Sequence, residues 1–302
     1  MKIAVTGASG YISSHIIREL LKRGHQVRGL VRDLSNKSKY EYMYQFEGSS
    51  QLEFVDADYE QGLQGIDEVI HTDPEKEIVK PAIELTRAVI LAALKNNVRR
   101  VVVTSSGGAI FSFPIPENKV FTAQDWNMQS SLSNNPYFYS KRLAEEEAWK
   151  LYQENKEKFE LVVVNPVYVL GPLQSSNINT SVSNVKKYLL GEHESIQAGS
   201  IAVVDVRDVA IAHVLPSEKE EAVGKRLICC GSTRAMSDIP KTIKEHYPQY
   251  PVSKYTEFPA GVKYSMDTQP LKELGLTEYR PFEETIKDTV QSLIGFGLVE
   301  KK

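Results

Sequence analysis

The sequence predicts an α/β fold, a doubly wound parallel sheet with a smaller C-terminal lobe, on three observations. The first 165 residues alternate short β-branched runs with amphipathic helical stretches, the rhythm of a parallel sheet covered on both faces. A glycine-rich turn joins the first strand to the first helix. From Asn165-Pro166 onward the rhythm breaks, Pro and Gly recur, and the strands shorten. The size agrees, since 302 residues allow one large or two modest domains around a sizeable core. With 41% hydrophobic and 25% charged residues, the chain is neither fibrous nor disordered.

Strands are expected at residues 2–6, 26–31, 52–55, 68–71, 100–104 and 161–164, each a β-branched run bounded by turn formers. The first helix carries Ile12, Ile16, Ile17, Leu20 and Leu21 at helical spacing and stops near Gly24, which takes a left-handed cap without steric cost. Between the third and fourth strands residues 56–67 leave room only for an abbreviated crossover. A further helix runs from Tyr137, with Tyr137, Lys141, Ala144, Ala148 and Leu151 on one face and Glu145-Glu146-Glu147 read as a solvated one. Residues 1–166 are therefore expected to form the first domain and residues 167–302 the second lobe. In that lobe the polar stretch 174–184 reads as a loop over a cleft. Residues 226–230 read as a strand and 282–294 as a closing amphipathic helix.

Several function classes are excluded. Lys plus Arg (36) against Asp plus Glu (39) gives a net charge of −3, so there is no positive excess to hold a nucleic acid. The most apolar stretches, around residues 88–94 and 161–170, fall short of the roughly 20 residues that span a bilayer. The opening Met1-Lys2-Ile3-Ala4-Val5 lacks the pattern of a signal peptide, so a cytoplasmic location is expected. Cys229 and Cys230 are adjacent, and a bridge between them would be strained and close almost no loop; reduced buried thiols are expected. The six histidines are dispersed, and no metal site is expected.

Five features carry chemistry. In Val5-Thr6-Gly7-Ala8-Ser9-Gly10-Tyr11-Ile12-Ser13, Gly7 permits a tight turn and Gly10 lets a helix N-terminus approach a pyrophosphate, the Rossmann arrangement. The third position of that pattern is Ser13, still small enough for close helix packing. Arg32, after the second strand, stands where an acidic residue would select NAD; with Lys37 or Lys39 it is suited to the 2′-phosphate of NADP. Asp58 is placed to accept a hydrogen bond from adenine or to cap a turn. Thr104-Ser105-Ser106-Gly107-Gly108 ends the fifth strand, where doubly wound sheets bind ligands, and Tyr137 and Lys141 lie one helical turn apart. A lysine on an alanine-lined stripe is costly unless it has a task, such as gripping ribose hydroxyls and assisting proton transfer from a neighbouring phenol. Tyr137 is then a candidate general acid for a carbonyl oxygen and Ser106 its hydrogen-bond partner.

With these residues in place, the sequence resembles extended short-chain dehydrogenases/reductases of the dihydroflavonol-reductase and cinnamoyl-CoA-reductase type. Its nearest likeness there is to the yeast NADPH-dependent methylglyoxal (isovaleraldehyde) reductases. The resemblance is carried by residues 101–106, Ala144-Glu145-Glu146-Glu147-Ala148-Trp149, residues 165–172 and residues 204–210. It implies a Ser106, Tyr137 and Lys141 triad, NADPH bound along Gly7 to Ile12 with Arg32, Pro166 to Val169 lining the nicotinamide, and residues 201–216 returning to the first domain from the substrate lobe. The implied activity is reduction of an aldehyde, ketone or dicarbonyl by a monomer or homodimer. Two alternatives share the fold: a nucleotide-sugar epimerase-like enzyme and a non-catalytic NADP(H)-binding protein. The chain also departs from the family, because His71-Thr72 runs directly into Asp73-Pro74-Glu75-Lys76 as though a loop were deleted, and Gly107 replaces a bulky residue. Both departures imply a wider pocket.

Overall fold

The computed structural model describes residues 1–72, 79–196, 198–256 and 264–302. In chain order the first half comprises β1 (Lys2–Val5), α1 (Tyr11–Lys22), β2 (Gln26–Val31), β3 (Leu52–Asp56), α2 (Tyr59–Gly62), β4 (Glu68–His71), α3 (Val79–Lys95), β5 (Arg100–Thr104), β6 (Lys119–Phe121) and α4 (Pro136–Glu154). The second half comprises β7 (Glu160–Pro166), β8 (Tyr168–Leu170), α5 (Thr180–Leu190), β9 (Ser200–Asp205), α6 (Val206–Glu218), β10 (Arg226–Cys229), β11 (Ser232–Ala235), α7 (Asp238–His246), β12 (Tyr264–Met266), α8 (Gln269–Leu274) and α9 (Phe282–Gly295).

Seven parallel strands form the main sheet in the order β10-β7-β5-β4-β1-β2-β3. The chain starts at β1, winds outward to β3, and returns on the other side of β1 through β4, so a switch point lies between β1 and β4. Side-chain alternation along the strands builds the two helical layers. Ile3, Val5, Val102 and Val162 face Ile16, Ile17 and Leu20 of α1 and Val209 of α6. Ala4, Val69, Val101 and Val103 face Val89 and Ile90 of α3 and Ala148 and Leu151 of α4. The four-residue α2 is the abbreviated crossover expected between the third and fourth strands.

The C-terminal elements carry their own sheet, β11-β9-β8, packed with α5, α7 and α9 around Val182, Leu189, Ile243, Ile286 and Val290. Three sequence expectations need correction here. Residues 200–205 are β9, a strand of the small sheet, whereas α6 packs on α1 and the main sheet. Beyond it, β10 is an edge strand of the main sheet, so the returning segment runs to Cys229 rather than ending at residue 216. The polar stretch 174–184 is not all loop, because the Asn179 side chain accepts the Val182 amide (2.9 Å) and starts α5. Among the described residues no helix is long and apolar enough to cross a membrane.

Candidate active site

The glycine turn lies at the switch point and is pinned from below by Thr72. Gly7 has φ +56°, and a Cβ there would stand 2.8 Å from the Thr72 carbonyl oxygen, so only glycine fits. The Thr72 hydroxyl donates to the Thr6 carbonyl (2.6 Å), which leaves the Ser13 hydroxyl to donate to Thr72 Oγ1 (2.7 Å). Ser13, the unusual third position, thus closes the packing of α1 on β4 by a hydrogen bond rather than by a missing side chain. Gly10 is the N-cap of α1, and no side chain caps its first turn. Those backbone N–H groups, with Tyr11 and Ile12 in the first turn, fit a pyrophosphate. The Tyr11 hydroxyl donates to the Gly171 carbonyl (2.9 Å), tying the turn to the loop after β8.

Arg32 follows β2 immediately, and Lys37 and Lys39 lie on a 3₁₀ turn of the same segment, all three exposed. The cations are therefore collected at the C-terminal end of β2, within a short stretch of chain. Asp58 takes the capping role left open by its sequence: its Oδ1 accepts the Gln61 amide (3.1 Å) at the start of α2.

Ser106 lies two residues beyond β5 in extended conformation, with its Oγ accepting the Gly108 amide (3.1 Å). Asn135 and Pro136 start α4, the asparagine accepting the Phe138 amide (3.3 Å). A Cβ on Gly108 would lie 2.7 Å from the Phe138 ring, so glycine here lets the serine loop meet the first turn of α4. Lys141 is buried (7% exposed), with Nζ 5.7 Å from the Tyr137 ring centroid, and Tyr137 is 39% exposed at the open end of the stripe. Ala144, Ala148 and Leu151 continue that stripe inside the protein. Pro166 closes β7 beside the same loop, its carbonyl oxygen 3.6 Å from where a Cβ on Gly107 would stand, and Val169 lies buried in β8.

The structure adds residues that the sequence did not single out and corrects two readings. Asn127 is buried and donates to the Gly108 carbonyl (2.7 Å). Glu145 is not on a solvated face but 1% exposed, and it is hydrogen-bonded to Ser105 and Asn165. Its spacing held the signal, since it follows Lys141 by one turn on the same side of α4. Gly107 does not widen a pocket: a Cβ there would meet Phe111 at 3.1 Å and Val167 at 3.3 Å, so these side chains fill the space. The apparent deletion after Thr72 falls on residues 73–78, which lie outside the described residues.

Both cysteines are buried and unbridged, and burial pushes the Cys230 thiol up to about 12. Among the described residues no cluster of His, Cys, Asp and Glu could hold a metal ion.

A glycine turn under a helix N-terminus and a Tyr–Lys turn packed on a serine loop, both served by one parallel sheet, define an extended short-chain dehydrogenase/reductase. The chain belongs to the NAD dependent epimerase/dehydratase family, whose model matches residues 3–231. It is 38% identical to cinnamoyl-CoA reductase 1 of Petunia hybrida, over 96% of this chain and 91% of that one. It is 32% identical to tetraketide alpha-pyrone reductase 1 of Arabidopsis thaliana, over 98% and 96%. Among solved structures, yeast methylglyoxal/isovaleraldehyde reductase, complexed with NADPH, superposes with a TM-score of 0.86 at 28% identity, covering 98% of this chain and 99% of that one. Vestitone reductase from alfalfa, at 23% identity and a TM-score of 0.83 over 99% of each chain, shares the fold.

Proposed function

We propose that this protein is an NADPH-dependent carbonyl reductase that converts aldehydes or ketones to alcohols, with Tyr137 as proton donor. The observation that carries the reading is the buried Lys141 one turn from Tyr137, on a helix whose start packs against the Ser106 loop. Gly7, Gly10, Tyr11 and Ile12 hold the pyrophosphate, and Arg32 with Lys37 and Lys39 the 2′-phosphate. Asp58 meets the adenine through the oxygen that its capping bond does not use, Lys141 the ribose hydroxyls, and Pro166 and Val169 the nicotinamide. When bound, NADPH supplies a hydride to the carbonyl carbon.

The chain's own residues do the rest. The Ser106 hydroxyl hydrogen-bonds the carbonyl oxygen and holds it beside the phenol. Tyr137 passes its proton to that oxygen as the C–H bond forms, giving the alcohol, and the resulting phenolate takes a proton back from solvent. The Lys141 ammonium stabilises the phenolate while it exists.

Apolar side chains around Tyr137 favour a carbonyl carrying an aryl or branched group. The Phe113 ring, 54% exposed, lies 6.3 Å from Phe138, itself 6.0 Å from Tyr137. Met128, 72% exposed, contacts Arg142 on α4 through its sulfur. A cytoplasmic setting suits the two buried, reduced thiols, and the active unit is a monomer or homodimer.

The test is NADPH oxidation with a panel of methylglyoxal, branched aliphatic aldehydes, cinnamaldehyde, aryl ketones and cinnamoyl-CoA, with NADH in parallel. The reading expects turnover with NADPH and a higher kcat/KM for the aryl or branched carbonyls. NADPH binding without turnover of any carbonyl would overturn it in favour of a binding protein, and interconversion of sugar nucleotides without net cofactor oxidation in favour of an epimerase.

A further inference from the structure

We propose that Glu145 is a positioning residue that sets the direction of the Ser106 hydroxyl through Ser105 and Asn165. The inference rests on the reading of Ser106 as the group that meets the carbonyl. Glu145 stands one turn beyond Lys141 on α4, and its two oxygens serve different neighbours. Oε1 accepts from Arg226 Nε (2.5 Å) and Trp149 Nε1 (3.2 Å). Oε2 accepts from the Ser105 hydroxyl (2.6 Å) and Asn165 Nδ2 (2.7 Å).

The first oxygen is the anchor. Arg226, 8% exposed, also donates to the carbonyls of Ala123 (2.6 Å) and Asp125 (2.7 Å), and its guanidinium lies 3.8 Å from the Trp126 ring centroid. The guanidinium has little freedom, so the carboxylate has little. The second oxygen holds the loop. Asn165 Nδ2, on β7, donates both to Glu145 and to the Ser106 carbonyl (3.2 Å).

Ser106 is extended, with φ −158° and ψ 154°. Successive side chains of extended chain point to opposite sides. Turning Ser105 inward onto Glu145 therefore turns Ser106 outward, away from the carboxylate. A buried ion pair contributes little net stability compared with an apolar substitute, so stability alone does not account for a carboxylate split between an anchor and a catalytic loop.

The experiment compares wild type, Glu145→Gln and Ser105→Ala with NADPH and one reducible carbonyl, alongside hydrogen–deuterium exchange of residues 105–108. Glutamine turns an NH₂ group either toward Arg226 and Trp149, which only donate, or toward Asn165 Nδ2, which only donates, and Ser105, whose hydroxyl must then reverse to accept. The expected result is a fall in kcat of about tenfold or more for Glu145→Gln, with NADPH affinity within about threefold, and faster exchange at 105–108 in both variants. The double variant should lose less than the product of the two single losses, because both act through one carboxylate. A folded Glu145→Gln with kcat within about twofold of wild type, or with unchanged exchange at 105–108, would overturn the proposal. Should Glu145→Gln fail to fold, Ser105→Ala decides alone, since unchanged turnover and exchange there also overturn it. If wild type reduces no carbonyl, the assigned function fails, and the exchange comparison still judges the positioning.

Discussion

Replacing Glu68 by glutamine should stabilise the protein, by an amount that grows with pH. Glu68 is fully buried at the start of β4, with Oε1 accepting from the Ser217 hydroxyl (2.5 Å) and Oε2 without a hydrogen-bond partner among the described residues. Burial pushes its carboxyl up to about 7 from the ordinary 4.5, against the smaller opposing effects of the Ser217 bond and of Arg100 and Arg99. Arg100 neutralises it poorly, because that guanidinium is engaged with Glu160 (2.7 Å), Glu220 (2.8 Å) and the Pro216 carbonyl. Between pH 4.5 and 7 the folded protein keeps a proton that the unfolded chain has released, so this group's contribution falls as pH rises through that window. The whole separation corresponds to about 3 kcal/mol. Glutamine mimics the protonated acid at every pH. Urea unfolding of both proteins from pH 4 to pH 9 should give nearly equal stabilities at the acid end and an advantage to Glu68→Gln of about 3 kcal/mol above pH 8. His15 and His213, held neutral by burial down to about 4, lower stability as pH falls below 6.5, but equally in both proteins, so they cancel in the difference. A difference independent of pH, or one that turns against glutamine as pH rises, would show that Glu68 is ionised and paired, and would refute the reasoning.

Two other substitutions probe the cofactor site. Arg32→Ala should raise KM for NADPH by about tenfold or more and barely change that for NADH, measured by steady-state kinetics; an equal loss for both would make Arg32 structural. Gly7→Ala should weaken NADPH binding by about tenfold or more and lower the melting temperature, because its Cβ meets the Thr72 carbonyl and φ +56° costs about 1–2 kcal/mol. Calorimetric titration and thermal unfolding check both.

Much of the fold was legible because the strands of the main sheet are short runs rich in Val and Ile set between helical stretches and turn formers. Gln26–Val31, Glu68–His71 and Arg100–Thr104 fall where the sequence puts them. β10 was harder: four residues among glycines identify a strand, but only its pairing with β7 assigns it to the main sheet. The glycine turn and the Tyr137–Lys141 spacing were readable because local geometry dictates them. Thr72 was not, since its role depends on Thr6 and Ser13, which are distant in sequence. Glu145 was misread because glutamate is ordinarily solvated, although its helical spacing pointed inward. The outcome at Gly107 turned on Phe111 and Val167, neighbours that the local motif does not contain.

The central claim, that Tyr137 donates the proton, is tested most directly by Tyr137→Phe, read as kcat for a carbonyl turned over by wild type and as NADPH affinity in the same preparation. The substitution removes one hydroxyl and keeps the ring. The account predicts loss of turnover by about a hundredfold or more with NADPH affinity nearly intact, whereas Lys141→Ala damages both. Equal turnover in wild type and Tyr137→Phe would contradict it.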